Sequence, residues 1–252
     1  MRSLSAWTAG LVGERDPAQP LLTLYAGGGR VELSGATTAN WVAKTANLLV
    51  DGLGSPQRVG LLLPLHWQTL CLLLATVATG ATAVVADEPD ELDGCDAAFV
   101  VAGRAAEALD QGVDEVLALS GHPFGVALPA VPPLPTMVQD YAREVPAYGD
   151  SWGGAAPARV SVEVGGGPLP ELPALGLSAA DRVLVGISPT DPAALAVLLA
   201  VLRAGASVVL VPGDEVDLPA TAATERATAT LGVAVAGWPE LPVERLRPQR
   251  RG

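Results

Sequence analysis

The feature that most constrains the fold of this chain is a segment that occurs twice. Residues 57–87 read QRVGLLLPLHWQTLCLLLATVATGATAVVAD, and residues 181–212 read DRVLVGISPTDPAALAVLLAVLRAGASVVLVP. Both contain, in the same order, an Arg-Val pair, a proline, a leucine-rich stretch, a Gly-Ala pair and a valine-rich stretch. A leucine-rich helix arises by chance in many chains, but this ordered set at a nearly constant spacing predicts two similar structural units.

Each unit has the pattern of a strand, a helix and a second strand. The strands of the first unit, 58–64 and 81–86, are apolar on both faces, which is typical of parallel strands covered by helices on both sides. Apolar strands at 97–101 and 116–119, with a short helix at 104–109 between them, continue the alternation. The sequence therefore predicts an α/β fold of mainly parallel sheets with flanking helices, in two pseudo-symmetric strand–helix–strand halves.

Local signals divide the chain into four predicted parts. Residues 1–20 are interpreted as an amphipathic N-terminal helix, because their apolar stretch is too short and too soon charged for a secretory signal. A first half, 21–135, opens with a β-hairpin whose turn is Gly27-Gly28-Gly29 and continues with a helix at 37–53. The proline-rich stretch 128–135 is the expected boundary to a second half, 136–240, and residues 241–252 are a predicted flexible tail.

Charge excludes several classes of partner. The formal net charge is −12, and the basic residues cluster only in the predicted tail, so we expect no general surface for nucleic acid or anionic lipid. The tail cluster consists of Arg245, Arg247, Arg250 and Arg251. Glycine or arginine interrupts the apolar segments 70–86 and 193–212, which we interpret as buried helices running into buried strands and not as membrane spans.

The cysteines and the overall composition indicate the setting of the protein. Cys71 and Cys95 show no paired spacing, which favours reduced thiols and a cytoplasmic location. An abundance of alanine, glycine and arginine beside a single lysine, Lys44, indicates a bacterium with a GC-rich genome.

The order of these elements resembles the N-terminal part of the adenylate-forming enzymes, which include acyl-CoA synthetases, peptide-synthetase adenylation domains and luciferases. The resemblance covers roughly Leu21 to Ala236. It is carried by Leu33-Ser34 before the helix that contains Trp41, by RVGLLLP and ATGATAVVA, and later by LSAADRVLVGISP and LRAGASVVLVP. The resemblance implies the fold of that domain and identifies the chain as a truncated relative.

The resemblance also implies where a phosphate-binding loop would lie. That loop is rich in Ser, Thr and Gly, contains a lysine, and would fall between the two units, where residues 160–176 read VSVEVGGGPLPELPALG. Gly165, Gly166 and Gly167 bring no hydroxyl group, and Pro168 and Pro170 remove amide donors. We therefore favour a hairpin turn over a phosphate cradle here.

Other catalytic groups of the family have no counterpart in this sequence. The histidine of its P-L-F-H segment would fall within residues 189–192, which read PTDP. Its acidic nucleotide motif, hinge and C-terminal lid would lie beyond Gly252, and Lys44 belongs to an early helix. We therefore expect no catalytic residues, no cofactor, no metal and no self-sufficient adenylation.

A few polar residues remain as candidates for binding. His66 stands where a strand passes into a helix, a position where α/β folds hold ligands, but a surface position in the first helical turn is favoured. It joins Gly165, Gly166 and Gly167 as the candidate cofactor-binding residues, each with a structural role favoured. His122 and the cysteines lack zinc-site spacing, and the acidic run 87–93 lacks the pattern of a calcium loop.

These observations leave three hypotheses for function. The first is a non-catalytic relative of the adenylate-forming N-terminal domain that acts as a ligand-binding or protein-interaction module, with a nucleotide or an acyl-CoA as candidate ligand. The second is a subunit of a split acyl-AMP or acyl-CoA ligase whose partner supplies the phosphate loop and the lid. The third is a structural role in which exposed faces form a homodimer.

Overall fold

The computed structural model describes residue 8, residues 10–213 and residues 216–243. Its strands are β1 (Pro20–Ala26), β2 (Gly29–Ser34), β3 (Arg58–Leu62), β4 (Thr82–Val85), β5 (Ala97–Val101), β6 (Glu115–Leu119), β7 (Val138–Asp140), β8 (Ser161–Val164), β9 (Gly167–Pro168), β10 (Arg182–Val185), β11 (Ser207–Leu210) and β12 (Ala229–Leu231). Its α-helices are α1 (Gly35–Asn47), α2 (Trp67–Thr79), α3 (Ala105–Asp110), α4 (Tyr141–Glu144), α5 (Pro192–Arg203) and α6 (Leu218–Thr224).

The strands form two sheets. One has seven strands in the order β7-β6-β5-β3-β4-β8-β9, and the other has five in the order β12-β10-β11-β1-β2. All pairs are parallel except the two hairpins β1–β2 and β8–β9. The predicted α/β fold with mainly parallel sheets and flanking helices is therefore confirmed.

The two sequence repeats fold as the predicted strand–helix–strand units. In the first unit β3 and β4 are parallel neighbours joined by α2, and in the second β10 and β11 are parallel neighbours joined by α5. Gly80 ends α2 in the left-handed conformation, with φ of 87°, and Pro192 occupies the first turn of α5. The segments that raised the membrane question are thus helices running into strands, and no helix among the described residues is long and apolar enough to cross a bilayer.

One face of each sheet contributes to a single apolar core. That core contains Leu61 of the first sheet and Val185 of the second, together with helices α1, α2 and α5. The opposite faces carry smaller clusters, with α3 on the seven-stranded sheet and α6 on the five-stranded sheet. The largest buried apolar cluster is therefore formed jointly by the two sheets.

Strand pairing does not follow the predicted division at residue 135. Strands β1 and β2, from the first predicted half, pair into the sheet of the second unit, while β7, β8 and β9 extend the sheet of the first. Pairing is set by contacts between residues distant in the chain, which a local composition boundary does not report.

The predictions for the two ends of the chain concern an N-terminal helix and a C-terminal tail. Residues 10–19 form turns and irregular structure where the N-terminal helix was predicted, and residues 1–7 and 9 of that helix are outside the described part of the chain. The arginine cluster of the predicted tail, Arg245 to Arg251, also lies outside the described residues.

Candidate ligand-binding cleft

A cleft of about 320 Å³ lies where the carboxyl ends of strands from both sheets meet. The loops that follow β3, β4 and β5 form one side, and the loops that follow β10 and β11 form the other. The lining residues are Leu62, Leu63, Pro64, Leu65, Ala86, Asp87, Val101, Arg104, Ile187, Ser188, Pro189, Thr190 and Pro212. Parallel α/β folds bind small molecules at this edge of their sheets, so the cleft is the principal candidate site.

The internal repeat places equivalent loops opposite each other across the cleft. Pro64 follows the first strand of one unit and Pro189 follows the first strand of the other, and both line the cleft. Asp87 and Pro212 stand at matching positions after the second strands and line it as well. The cleft is therefore a product of the approximate duplication.

The polar groups of the cleft are few. The hydroxyl groups of Ser188 and Thr190 lie 2.7 Å apart and share a hydrogen bond. Arg104 donates to the Asp87 carbonyl oxygen at 2.8 Å, to Glu88 at 2.8 Å and to Glu107 at 3.0 Å. Its guanidinium group is therefore engaged by the protein itself.

Side chains of the protein cap the two long helices that begin at this edge. His66 Nδ1 accepts a hydrogen bond from the Gln68 amide at 3.2 Å at the start of α2. At the matching position of the second unit, Asp191 Oδ1 accepts from the amides of Ala193 and Ala194 at 3.0 and 3.1 Å. First-turn amides that bind phosphate in many α/β proteins thus have partners already.

His66 is buried, which corrects the expectation of a surface position. Its side chain is only 7% exposed, and burial lowers its pKa to about 4. It is adjacent in sequence to Leu65 at the wall of the cleft but is not itself a lining residue. Its observed role is that of an uncharged helix cap.

Two further hollows adjoin the cleft. One of about 490 Å³ shares Ile187, Ser188 and Pro212 with it. Another, of about 470 Å³, shares Pro212 and reaches Tyr25 and the Gly27–Gly29 turn of the first hairpin. The carboxyl edge of the five-stranded sheet is therefore concave over several neighbouring loops.

The glycines that replace the expected phosphate loop form a tight hairpin. Gly165 and Gly166 have φ of 58° and 73°, and Val164 pairs with Gly167 across the turn. The predicted hairpin turn is observed, and any cofactor-binding role of these glycines stays a prediction. Gly166 and Gly167 line a separate hollow of about 650 Å³ that shares no lining residue with the cleft.

Lys44 and the two cysteines, which were also singled out in the sequence, do not line the cleft. Lys44 Nζ donates to the Tyr148 carbonyl oxygen at 2.6 Å and does not line the cleft. Cys71 and Cys95 are free and buried, and burial raises their pKa values. Within the described residues, no group of three or more His, Cys, Asp and Glu side chains is placed to hold a metal ion.

Ion pairs stabilise the opposite, amino-terminal ends of the repeated strands. Arg58 forms two hydrogen bonds with the Glu163 carboxylate, at 3.1 and 2.9 Å, and the matching Arg182 binds Glu225. Burial by itself raises the pKa of Glu225, but hydrogen bonds from Arg30, Tyr25 and Arg182 outweigh it and lower the pKa to about 2. The repeated Arg-Val pair was visible in the sequence, but its carboxylate partners were not.

One curated relative is similar over most of this chain. It is described as a TIGR03089 family protein from Mycobacterium tuberculosis, and it is 42% identical over 234 residues, covering 86% of this chain and 93% of the relative. No protein-family model matches the chain.

Solved structures with the same fold are parts of acyl-CoA synthetases and related enzymes. An acyl-CoA synthetase from Brucella canis superposes with a TM-score of 0.69 at 16% identity, over 91% of this chain and 47% of the synthetase. ATP-bound MatB from Rhodopseudomonas palustris gives 0.64 at 18%, over 91% and 49%. An inhibitor-bound N-terminal domain of FACL13 from M. tuberculosis gives 0.65 at 16%, over 91% and 62%. The chain thus spans about half the length of the full synthetases.

Proposed function

This chain belongs to the TIGR03089 protein family, and from that premise we propose that it is a non-catalytic relative of the adenylate-forming N-terminal domain that binds a small ligand. The observation that carries the proposal is the cleft at the carboxyl ends of both sheets. Its lining combines polar side chains with apolar ones at a concave sheet edge, which suits a small molecule. None of its described lining residues is a lysine, so it offers little to stabilise the charge that develops during adenylation.

The two-glycine hairpin gives further support for a role without catalysis. The turn at Gly165 and Gly166 contributes no hydroxyl group, and Pro168, which follows Gly167, has no amide donor. MatB is described in complex with ATP, so a nucleotide and an acyl-CoA are the first ligands to test on this chain. A cytoplasmic location remains a prediction.

A direct assay tests the absence of catalysis. The purified chain is incubated with ATP, Mg²⁺ and a panel of carboxylic acids, with a full-length acyl-CoA synthetase as positive control, and release of pyrophosphate and acyl-AMP is measured. We expect acyl-AMP only from the control. ATP-dependent formation of acyl-AMP by the purified chain would contradict the proposal.

A protein-interaction role is the second candidate, and a segment with several exposed apolar side chains favours it. Four large apolar side chains within one stretch of 14 residues, counted from 124 to 137, are at least 46% exposed: Phe124, Val126, Val131 and Met137. Such a concentration is typical of a contact surface. Light scattering across micromolar concentrations distinguishes a homodimer from a monomer, and a monomer throughout removes the homodimer.

One observation favours the split-ligase alternative: this chain matches only about half the length of the full synthetases. In that case this chain supplies part of the site, and a separate protein supplies the phosphate loop and the lid. The alternative predicts acyl-AMP or acyl-CoA formation only when the two proteins are mixed. A screen of candidate partners that yields no product in any combination argues against it.

A further inference from the structure

The one charged side chain of the cleft that the protein leaves unpaired is a carboxylate. Asp87 follows β4, lines the cleft and is exposed. Its main chain is engaged, since its amide donates to Glu91 and its carbonyl oxygen accepts from Arg104. Among the described residues, no donor contacts the side-chain oxygens of Asp87.

Among the described lining residues, Arg104 is the only cation of the cleft, and it is already paired with carboxylates. Arg104 binds the carboxylates of Glu88 and Glu107 at 2.8 and 3.0 Å. Together with Asp87, these give three carboxylates against one guanidinium group at this side of the cleft. An anionic ligand would therefore meet net negative charge at this side of the cleft.

The helix amino termini beside the cleft do not offset this negative charge. Asp191 places a further carboxylate at the start of α5, where it satisfies two first-turn amides. His66 satisfies an amide at the start of α2 as an uncharged imidazole. Three first-turn amides that could contact a phosphate, those of Gln68, Ala193 and Ala194, thus already have acceptors in the protein.

We infer that the cleft binds a small cationic amphiphile, such as a primary amine with a short apolar chain, and disfavours carboxylates and phosphates. The ammonium group is held by Asp87, and the apolar chain packs against Pro64, Val101 and Ile187, which are exposed or half-buried residues of the lining. The hydroxyl groups of Ser188 and Thr190 supply further acceptors for ammonium protons. This inference rests on the proposed ligand-binding function and specifies the charge of the ligand.

One residue of the cleft can be observed selectively by NMR. Ile187 is its only isoleucine, and it lines both the cleft and the adjoining hollow. Selective labelling of the isoleucine δ1 methyl group therefore gives one NMR signal, which needs no assignment and reports on the proposed site.

Three probes with the same apolar chain separate charge from hydrophobicity. Hexylamine, hexanol and hexanoate are titrated in turn into the labelled protein at neutral pH while the Ile187 methyl signal is followed. We expect saturable shifts with affinity in the order hexylamine, hexanol, hexanoate. Added salt weakens hexylamine binding, because it screens an exposed carboxylate.

Two variants test the role of Asp87. Asp87→Asn is expected to weaken hexylamine binding about three- to tenfold and to leave hexanol binding unchanged. Asp90→Asn is the matched control, since Asp90 is an exposed acid in the same loop that does not line the cleft. Thermal unfolding of both variants checks that the fold is retained.

The outcomes separate the inference from the function on which it rests. Hexanoate that binds as tightly as hexylamine, or an Asp87→Asn variant that keeps the wild-type preference, overturns the inference and leaves a ligand-binding function in place. If none of the three probes shifts the Ile187 signal, both the inference and the proposed binding role of the cleft fail.

Discussion

At the scale of single residues, the titration of His66 makes the stability of the folded chain depend on pH. Its Nδ1 atom accepts from the Gln68 amide, so the neutral ring carries its proton on Nε2. Burial lowers the pKa of the ring from 6.5 to about 4. The unfolded chain therefore binds more protons than the folded chain between these values, and this contribution to stability is full above pH 6.5 and declines as the pH falls towards 4.

This coupling predicts an acid-dependent loss of stability. Between pH 6.5 and pH 5 the free energy of unfolding should fall by up to about 2 kcal/mol, as measured by urea denaturation. His66→Asn keeps a side-chain acceptor for the helix and removes the titrating ring, so its stability should change little over this range. His122→Asn, at an exposed histidine whose charge is a minor cause of the lowered pKa of His66, should retain most of the wild-type dependence. Equal pH dependence in His66→Asn and the wild type would refute the assignment.

At the scale of elements, the main chain of the N-terminal segment packs directly against the main chain at the C-terminal end of α5. The Gly13 amide donates to the Leu202 carbonyl oxygen at 2.8 Å, and Arg15 donates to the Gly205 carbonyl oxygen at 2.7 Å. A Cβ atom at Gly13 would lie 2.4 Å from the Arg203 carbonyl oxygen and 2.5 Å from the Gly205 nitrogen. Only glycine permits this contact between two main chains.

Gly13→Ala is therefore expected to destabilise the protein by about 1–3 kcal/mol, because the main chain of the segment or of the helix end must move. Thermal or chemical denaturation measures the change. Gly103→Ala is the matched control, since a Cβ atom there meets nothing within 4 Å, and its stability should stay within about 0.5 kcal/mol of the wild type. A Gly13→Ala variant as stable as this control would show that the close approach is not required.

At the scale of the whole molecule, exchange of strands between the two sheets makes the chain one cooperative unit. The hairpin β1–β2 pairs with β11 through residues 22–24 and 208–210, and β8 pairs with β4 through residues 161–164 and 82–85. The largest apolar cluster takes side chains from both sheets. Separation at residue 135 would leave each piece with unpaired strand edges and an exposed core face.

We therefore predict that fragments 1–135 and 136–252 do not fold alone. Each should show little near-ultraviolet circular dichroism and poor NMR dispersion, whereas the full chain should unfold in one transition by both probes. Native-like signals that return when the fragments are mixed would support the shared core. Cooperative unfolding of either isolated fragment would instead support two independent halves.

The sequence alone determined the local architecture of this protein. The alternation of apolar strands with leucine-rich helices, the glycine turns at 27–29 and 165–167 and the ordered repeat sufficed to predict both strand–helix–strand units and both hairpins. The resemblance of the ordered motifs to the adenylate-forming family implied the fold of that family's N-terminal domain. The units and the hairpins depend on hydrophobic periodicity and on residues suited to turns. Both signals act over a few neighbouring positions, so they can be read directly from the sequence.

Only the tertiary structure decided how these units combine and where a ligand can lie. The placement of β1–β2 in the second sheet, the carboxylate partners of Arg58 and Arg182, and the position of Asp87 in a cleft with Ile187 all join residues that are distant in the chain. The same local patterns are compatible with other strand pairings. The sequence of a strand shows which of its faces are apolar, but it does not show which strand or helix will pack against them. The cleft and its charge therefore arise from packing between the repeats, which neither repeat specifies alone.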